Sequence, residues 1–187
     1  MEKLILASAS PRRSELLTRA GIPFEVFVSE VDEHCSLPAA EAVLELSSRK
    51  ALAVHAGHPS HFILAADTLV AYQQRILGKP KNEEDAVRML RILSGQTHSV
   101  FTGITVLSPK GEVFTGLDHS LVTFCDIPEA EIIRYVQSGE PMDKAGAYAI
   151  QGRAGLWVTH LDGCDSSVIG LPLYLVRKLL LEAGYPI

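Results

Sequence analysis

The chain has 187 residues, of which 47% are hydrophobic and 21% charged, with a formal net charge of −5. That length suits one domain, or one domain in two lobes, with a core of ordinary size. The acidic balance argues against a protein that coats DNA or RNA, and no apolar run approaches the ~20 residues of a membrane span. Residues 3–7 (KLILA) predict a short buried strand. Behind it, in LASASPRRSELL (6–17), Ser10 reads as an N-cap, Pro11 fits the first helical position and Gly21 the stop, which predicts a helix over 11–20. Arg12 and Arg13 fall in its first turn, where the helix dipole favours anions. Either both are solvated, or an anion draws in the free N–H groups, the serine hydroxyls and two guanidinium forks.

A second strand is predicted at 24–28, and SEVDEHC (29–35) follows it with Glu30, Asp32 and Glu33, by default a solvated acidic turn. A helix is predicted over 39–55, where Lys50 of SSRKALAV would ordinarily face solvent. His55, His58 and His61 form an HxxHxxH run, but Gly57 and Pro59 interrupt it, so no regular ligand face is expected. Strands are predicted at 62–66 and 69–72. Between them Asp67 interrupts the apolar run ILAADTLV (63–70), and a carboxylate there is costly to bury without a partner. Asp67 is therefore a turn residue between two strands, or sits at a strand end or bulge, or faces a cation.

Gly78, Lys79, Pro80 and Lys81 make a stiff loop before a helix at 83–93, which Asn82 caps and Gly95 follows. Strands at 99–107 and 112–125 read as a long antiparallel hairpin, and a helix at 129–138 lies between Pro128 and Gly139. In PMDKAGAYAIQG (141–152), Ala145, Gly146 and Ala147 permit close backbone approach. Gln151 offers an amide that can donate and accept, as reading a nucleobase edge requires, or is a plain turn residue. A strand at 155–161 and a helix at 172–183 complete the map. The interleaved elements predict an α/β fold on a mixed sheet. Cys35, Cys125 and Cys164 are odd in number, widely spaced and without a CxxC pair; with no secretory pattern at the N-terminus, a cytoplasmic protein is expected.

Taken together, Arg12, Arg13, Lys50, Lys79 and Lys81 supply cations, while Glu33 and Asp67 can supply oxygen ligands to a hard divalent metal. That is the inventory for cutting a polyphosphate. The absence of a GxxxxGK[ST] run excludes a P-loop.

SASPRR at 8–13, AADT at 65–68, GKPK at 78–81, SGQTHSVFTG at 94–103, DKAGAYAIQG at 143–152 and VIGLP at 168–172 resemble, in order and spacing, the Maf family of nucleotide pyrophosphatases. The resemblance covers nearly the whole chain. It implies a single domain over 1–187 with an inosine triphosphate pyrophosphatase-like fold: a mixed twisted sheet with flanking helices and two lobes around a cleft. It also implies hydrolysis of nucleoside triphosphates to the monophosphate and pyrophosphate with Mg²⁺ or Mn²⁺. Asp67 falls at the position of the proton acceptor. Arg12, Thr68 and Gln151 fall at positions tied to substrate choice, and Ser8, Arg13, Glu33, Lys50 and Lys79 at positions tied to phosphate or metal. Lys81 joins them as a phosphate-binding cation, and Asp67 with Glu33 as the metal ligands. The DKAGAYAIQG form is similar to the branch acting on dTTP and UTP. The alternatives are a pyrophosphatase for 7-methyl-GTP or ITP, and a non-catalytic nucleotide-binding regulator of cell division. A homodimer, with no nucleic-acid or membrane partner, is implied as well. One departure stands out: where relatives carry an aromatic before VxGLP, this chain has Asp162-Gly163-Cys164-Asp165-Ser166-Ser167.

Overall fold

The structure, a computed structural model, describes residues 4–28 and 30–187. Lys3, at the start of the first predicted strand, and Ser29, at the start of the acidic stretch, lie outside the described residues. Strands β1 (Leu4–Leu6), β2 (Glu25–Val26), β3 (Phe62–Tyr72), β4 (Arg75–Leu77), β5 (Thr97–Leu107), β6 (Val113–Phe124) and β7 (Val158–Asp162) form one seven-stranded sheet in the order β2-β1-β3-β5-β6-β7, with β4 on β3. β1 runs parallel to β2 and β3, whereas β3–β4 and β6–β7 are antiparallel, so the sheet is mixed as expected. Helices are α1 (Pro11–Arg19), α2 (Ala39–Gly57), α3 (Glu83–Leu93), α4 (Glu129–Gln137), α5 (Asp165–Ile169) and α6 (Leu173–Glu182). No helix among the described residues is long and apolar enough to cross a membrane.

The chain divides into two compact units. The first comprises Met1–Asp67, Thr102–Asp118 and Gly170–Ile187; the second comprises Thr68–Phe101 and His119–Ile169. β3, β5 and β6 each pass from one unit into the other.

In the first unit, residues 63, 65 and 67 share one face of β3. Ile63 and Ala65 pack with Ile5, Ala7, Leu107 and the α2 residues Ala51 and Val54 in an apolar cluster. The buried stripe of α2 includes Val43, Ser47, Ala51 and Val54, at helical spacing. The helix can seat so closely because β5 offers Gly103: a Cβ there would lie 2.4 Å from the Val43 carbonyl oxygen. Ser47 Oγ and Thr105 Oγ1 then meet at 2.8 Å and satisfy each other inside the contact. Helix α1 ends in a Schellman pair, Gly21 N–H to Thr18 O (3.0 Å) and Ile22 N–H to Leu17 O (3.1 Å).

In the second unit, Leu77, Met89, Leu90, Phe124, Ile132, Tyr135, Tyr148 and Trp157 belong to one buried cluster. Asn82 caps α3 through its side chain, accepting from Asp85 N–H at 2.8 Å. One strand and one α-helix escaped the sequence reading. β4 follows a two-residue turn at Gln73 and Gln74, whose φ of 47° and 65° make a hairpin turn without the usual Asn-Gly signal. The short α5 begins at Asp165, in the segment that precedes VIGLP. The strand expected at 155–161 starts later, at Val158, because Arg153–Trp157 coils into a 3-10 turn.

Candidate active site

β3 runs unbroken through Asp67, which corrects the expectation of a turn between two strands. Nor is Asp67 at a strand end; of the alternatives, the one that the contacts support is that it faces a cation. Its Oδ1 accepts from Lys50 Nζ at 2.6 Å. The same ammonium stands 2.8 Å from Glu33 Oε1, so one cation bridges two carboxylates from two segments. Side-chain exposure separates the two contacts: Lys50 and Asp67 are 14% and 11% exposed, and Glu33 is 61% exposed. The Asp67 contact is therefore dry and strongly coupled, and the Glu33 contact is wet and weak.

Lys50 is thus no ordinary surface residue, and helical spacing could have found it. Positions 47, 50, 51 and 54 lie on one face of α2, and the other three are buried against the sheet. A lysine on that stripe needs a buried acid, and Asp67 is the acid facing it.

Arg13 completes the cluster. Its Nε donates to the Gly170 carbonyl at 2.8 Å and its Nη1 to Ser8 Oγ at 2.9 Å. Ser8 is buried and also accepts from Ser10 N–H at 3.2 Å. Ser10 occupies the N-cap position of α1, but its hydroxyl makes no cap bond. The arginines that oppose the α1 dipole therefore have a local reason: Arg13 is turned away to Gly170 and Ser8, with Arg12 half-buried beside it.

Burial lifts the Asp67 carboxyl above its ordinary value, while the Lys50 charge and hydrogen bond and the Arg13 charge pull it down and Glu33 adds to the rise. Burial pulls the Arg13 guanidinium below its ordinary value, opposed by Asp67. Ser8, Arg13, Lys50, Asp67 and Glu33 are thus brought together, with Arg12 beside Arg13, all within the first unit.

Thr68, Lys79, Lys81 and Gln151 belong to the second unit. Thr68 is half-buried and the other three are exposed. There GKPK and DKAGAYAIQG meet directly, through Gly146 N–H to Gly78 O at 3.1 Å. Gly146 has φ +69°, and a Cβ on it would press Val70 at 3.0 Å. The close approach expected of Ala145-Gly146-Ala147 is therefore to the chain's own Val70 and Gly78.

The segment leading to Gln151 is pinned by groups that the sequence reading missed. Tyr148 Oη meets His98 Nε2 at 2.7 Å inside the core. Tyr135 Oη accepts from Ala149 N–H at 3.2 Å and donates to Glu140 Oε1 at 3.0 Å; Arg153 N–H reaches the same oxygen at 3.2 Å. The signal was the polar His98 at an inward position of an alternating strand.

Among the described residues, no group of three or more His, Cys, Asp or Glu side chains is placed to hold a metal ion. His58 instead packs on Phe27 with ring centroids 4.2 Å apart. A small hard cation needs less than three protein ligands when phosphate is present: one or two carboxylates suffice, with phosphate oxygens and water filling the rest. Glu33 and Asp67, already drawn to one ammonium, fit that donor set.

The family model described as Maf-like protein matches residues 3–183. Two curated relatives, each named dTTP/UTP pyrophosphatase, come from Bacillus cereus (strain AH820) and Bacillus anthracis. Each is 49% identical over 183 residues, covering 96% of this chain and 95% of the relative. Among solved structures, the Ham1 protein of Staphylococcus aureus aligns with a TM-score of 0.56 at 15% identity, over 97% of this chain and 99% of that one. A HAM1 protein from Coxiella burnetii aligns at 0.51 and 13%, over 97% and 100%. These two likenesses are of fold alone, and they agree with the α/β architecture expected.

Proposed function

The chain belongs to the Maf-like protein family, and from that membership we propose that it hydrolyses dTTP and UTP to the monophosphate and pyrophosphate with a divalent metal ion. The observation that carries this reading is the Lys50 ammonium bridging Asp67 and Glu33 in a cluster with Arg13 and Ser8. The names of the 49% identical relatives supply the substrate. Oxygen ligands from Glu33 and Asp67 would hold Mg²⁺ or Mn²⁺, which when bound draws charge from the phosphate oxygens.

The chain's own residues do the rest. A water oxygen attacks the α-phosphorus, the bond to the β-phosphate bridge breaks, and the electron pair leaves with pyrophosphate. Asp67 takes the proton from that water, a role that its burial-raised proton affinity suits. Arg13, fixed by Gly170 and Ser8, holds the phosphate chain with Arg12, Ser8 and the N-terminus of α1. Lys50, Lys79 and Lys81 offset charge on the phosphates. Thr68 and Gln151 read the base, Gln151 through an amide that can donate and accept. The same reading makes residues 1–187 one functional domain of a cytoplasmic homodimer, which light scattering tests.

The decisive experiment is a nucleotide panel with pyrophosphate detection, run with Mg²⁺ and with Mn²⁺. We expect dTTP and UTP to lead; preference for ITP or 7-methyl-GTP overturns the substrate. Asp67→Asn should fold normally and lose about 10³-fold in kcat. Wild-type turnover by that variant removes Asp67 from the chemistry, and tight dTTP binding without pyrophosphate release by the wild type makes the protein a binder instead.

A further inference from the structure

Glu33 poses a positioning problem. Residues 30–38 carry no helix or strand, and the Glu33 side chain is 61% exposed, so packing does not fix its carboxylate. The Lys50 ammonium grips one end of this arrangement. We propose that Arg49, the preceding residue of α2, grips the other end and is the positioning residue for Glu33.

Arg49 Nη1 donates to the carbonyl of Asp32 at 3.3 Å and to that of His34 at 3.0 Å, the residues on either side of Glu33. Its Nε donates to Glu45 Oε1 at 2.7 Å, one helical turn back, which aims the guanidinium. The Asp32 side chain closes the turn from within, accepting from His34 N–H at 2.8 Å. Three acceptors around one planar fork suit a guanidinium and not an ammonium.

The bonds hold the loop and little else. Arg49 and Glu45 side chains are 37% and 43% exposed, and an ion pair that wet contributes little to the stability of the fold. Two consecutive side chains of one helix thus play complementary parts. Lys50 meets the carboxylate, and Arg49 meets the backbone that carries it. Glu33 reaches the space beside Asp67 because its loop is tied to the same helix as Lys50.

This role rests on the reading of Glu33 as a metal ligand, and the test keeps the two apart. Mn²⁺ binding is measured by calorimetry on the full chain without nucleotide, for wild type, Arg49→Ala, Arg49→Lys, Glu33→Gln and the double variant Arg49→Ala/Glu33→Gln. Amide hydrogen exchange over 30–36 and the melting temperature are followed in parallel. Arg49→Ala should weaken Mn²⁺ binding by about tenfold, the scale of an outer-shell substitution, speed exchange over 30–36 and leave Tm in place. Arg49→Lys should recover only part of the loss, and the double variant should bind no more weakly than Glu33→Gln alone. Where Glu33→Gln weakens Mn²⁺ binding, wild-type Mn²⁺ affinity in Arg49→Ala, or full additivity in the double variant, overturns the proposal. If Glu33→Gln binds Mn²⁺ like wild type, the metal reading of Glu33 falls; the clamp then stands on faster exchange over 30–36 in Arg49→Ala and falls with unchanged exchange.

Discussion

Asp67 in the first unit and His98 in the second are both buried titratable groups, 8% and 2% exposed. Burial drives each toward its neutral form: it raises the Asp67 carboxyl and pulls His98 down to about 4. Their company differs. Asp67 is set against the ammonium of Lys50 and the charge of Arg13, whereas His98 meets the phenol of Tyr148. One unit holds charge where burial resists it, as the proposed chemistry at Asp67 requires. The other holds a neutral network, which fixes a shape. The two also respond to pH in opposite senses. The stability due to Asp67 is complete below its ordinary 3.8 and is lost as pH rises through its raised native value. That due to His98 is complete above 6.5 and is lost as pH falls from 6.5 toward about 4.

The sharpest way to break this contrast is to remove the charge partner. Lys50→Met should lower kcat by about 10²-fold, as for loss of one electrostatic stabiliser. It should also tighten Mn²⁺ binding in the absence of nucleotide, because Lys50 no longer competes for Glu33 and Asp67. Carboxyl NMR without metal should show Asp67 titrating at higher pH than in the wild type, since both Lys50 contributions hold it down. An Asp67 that titrates lower would mean that the ion pair does not govern the site.

On the neutral side, urea unfolding of the wild type should lose on the order of 3 kcal/mol between pH 6.5 and 4. His98→Gln should flatten that slope, and an equal slope in both proteins would show that His98 does not charge on unfolding. The smallest effect is expected from Tyr135→Phe, which strips the acceptor from the buried Ala149 N–H. A loss of about 1 kcal/mol is expected, with KM for dTTP raised and kcat nearly kept. A fall in kcat with unchanged KM would place Tyr135 nearer the chemistry than the shape.

Helix boundaries were legible because their causes are local. Asn82 and Gly95 bound α3, and the predicted 83–93 is the observed span. Most strands follow their apolar alternation to within a few residues. What stayed hidden depends on partners far along the chain. Asp67 read equally well as a turn residue, because the ammonium that lets the strand continue comes from another element. The Gly170 carbonyl that holds Arg13 lies 157 residues away and is a backbone atom, which no motif announces. The acidic residues of 29–35 read as a solvated turn, and for Glu33, 61% exposed, that is nearly true; the Lys50 contact to its carboxylate and the Arg49 bonds to the carbonyls of Asp32 and His34 set it apart.

The order of segments has a consequence for synthesis. The first unit is assembled from three stretches, and the third of them, Gly170–Ile187, leaves the ribosome after every residue of the second unit. The second unit has all of its residues by Ile169. A nascent chain therefore reaches Gly170 with Arg13 still lacking its carbonyl anchor. Premature termination anywhere before that glycine leaves a product in which Arg13 keeps its bond to Ser8 but never gains the Gly170 carbonyl.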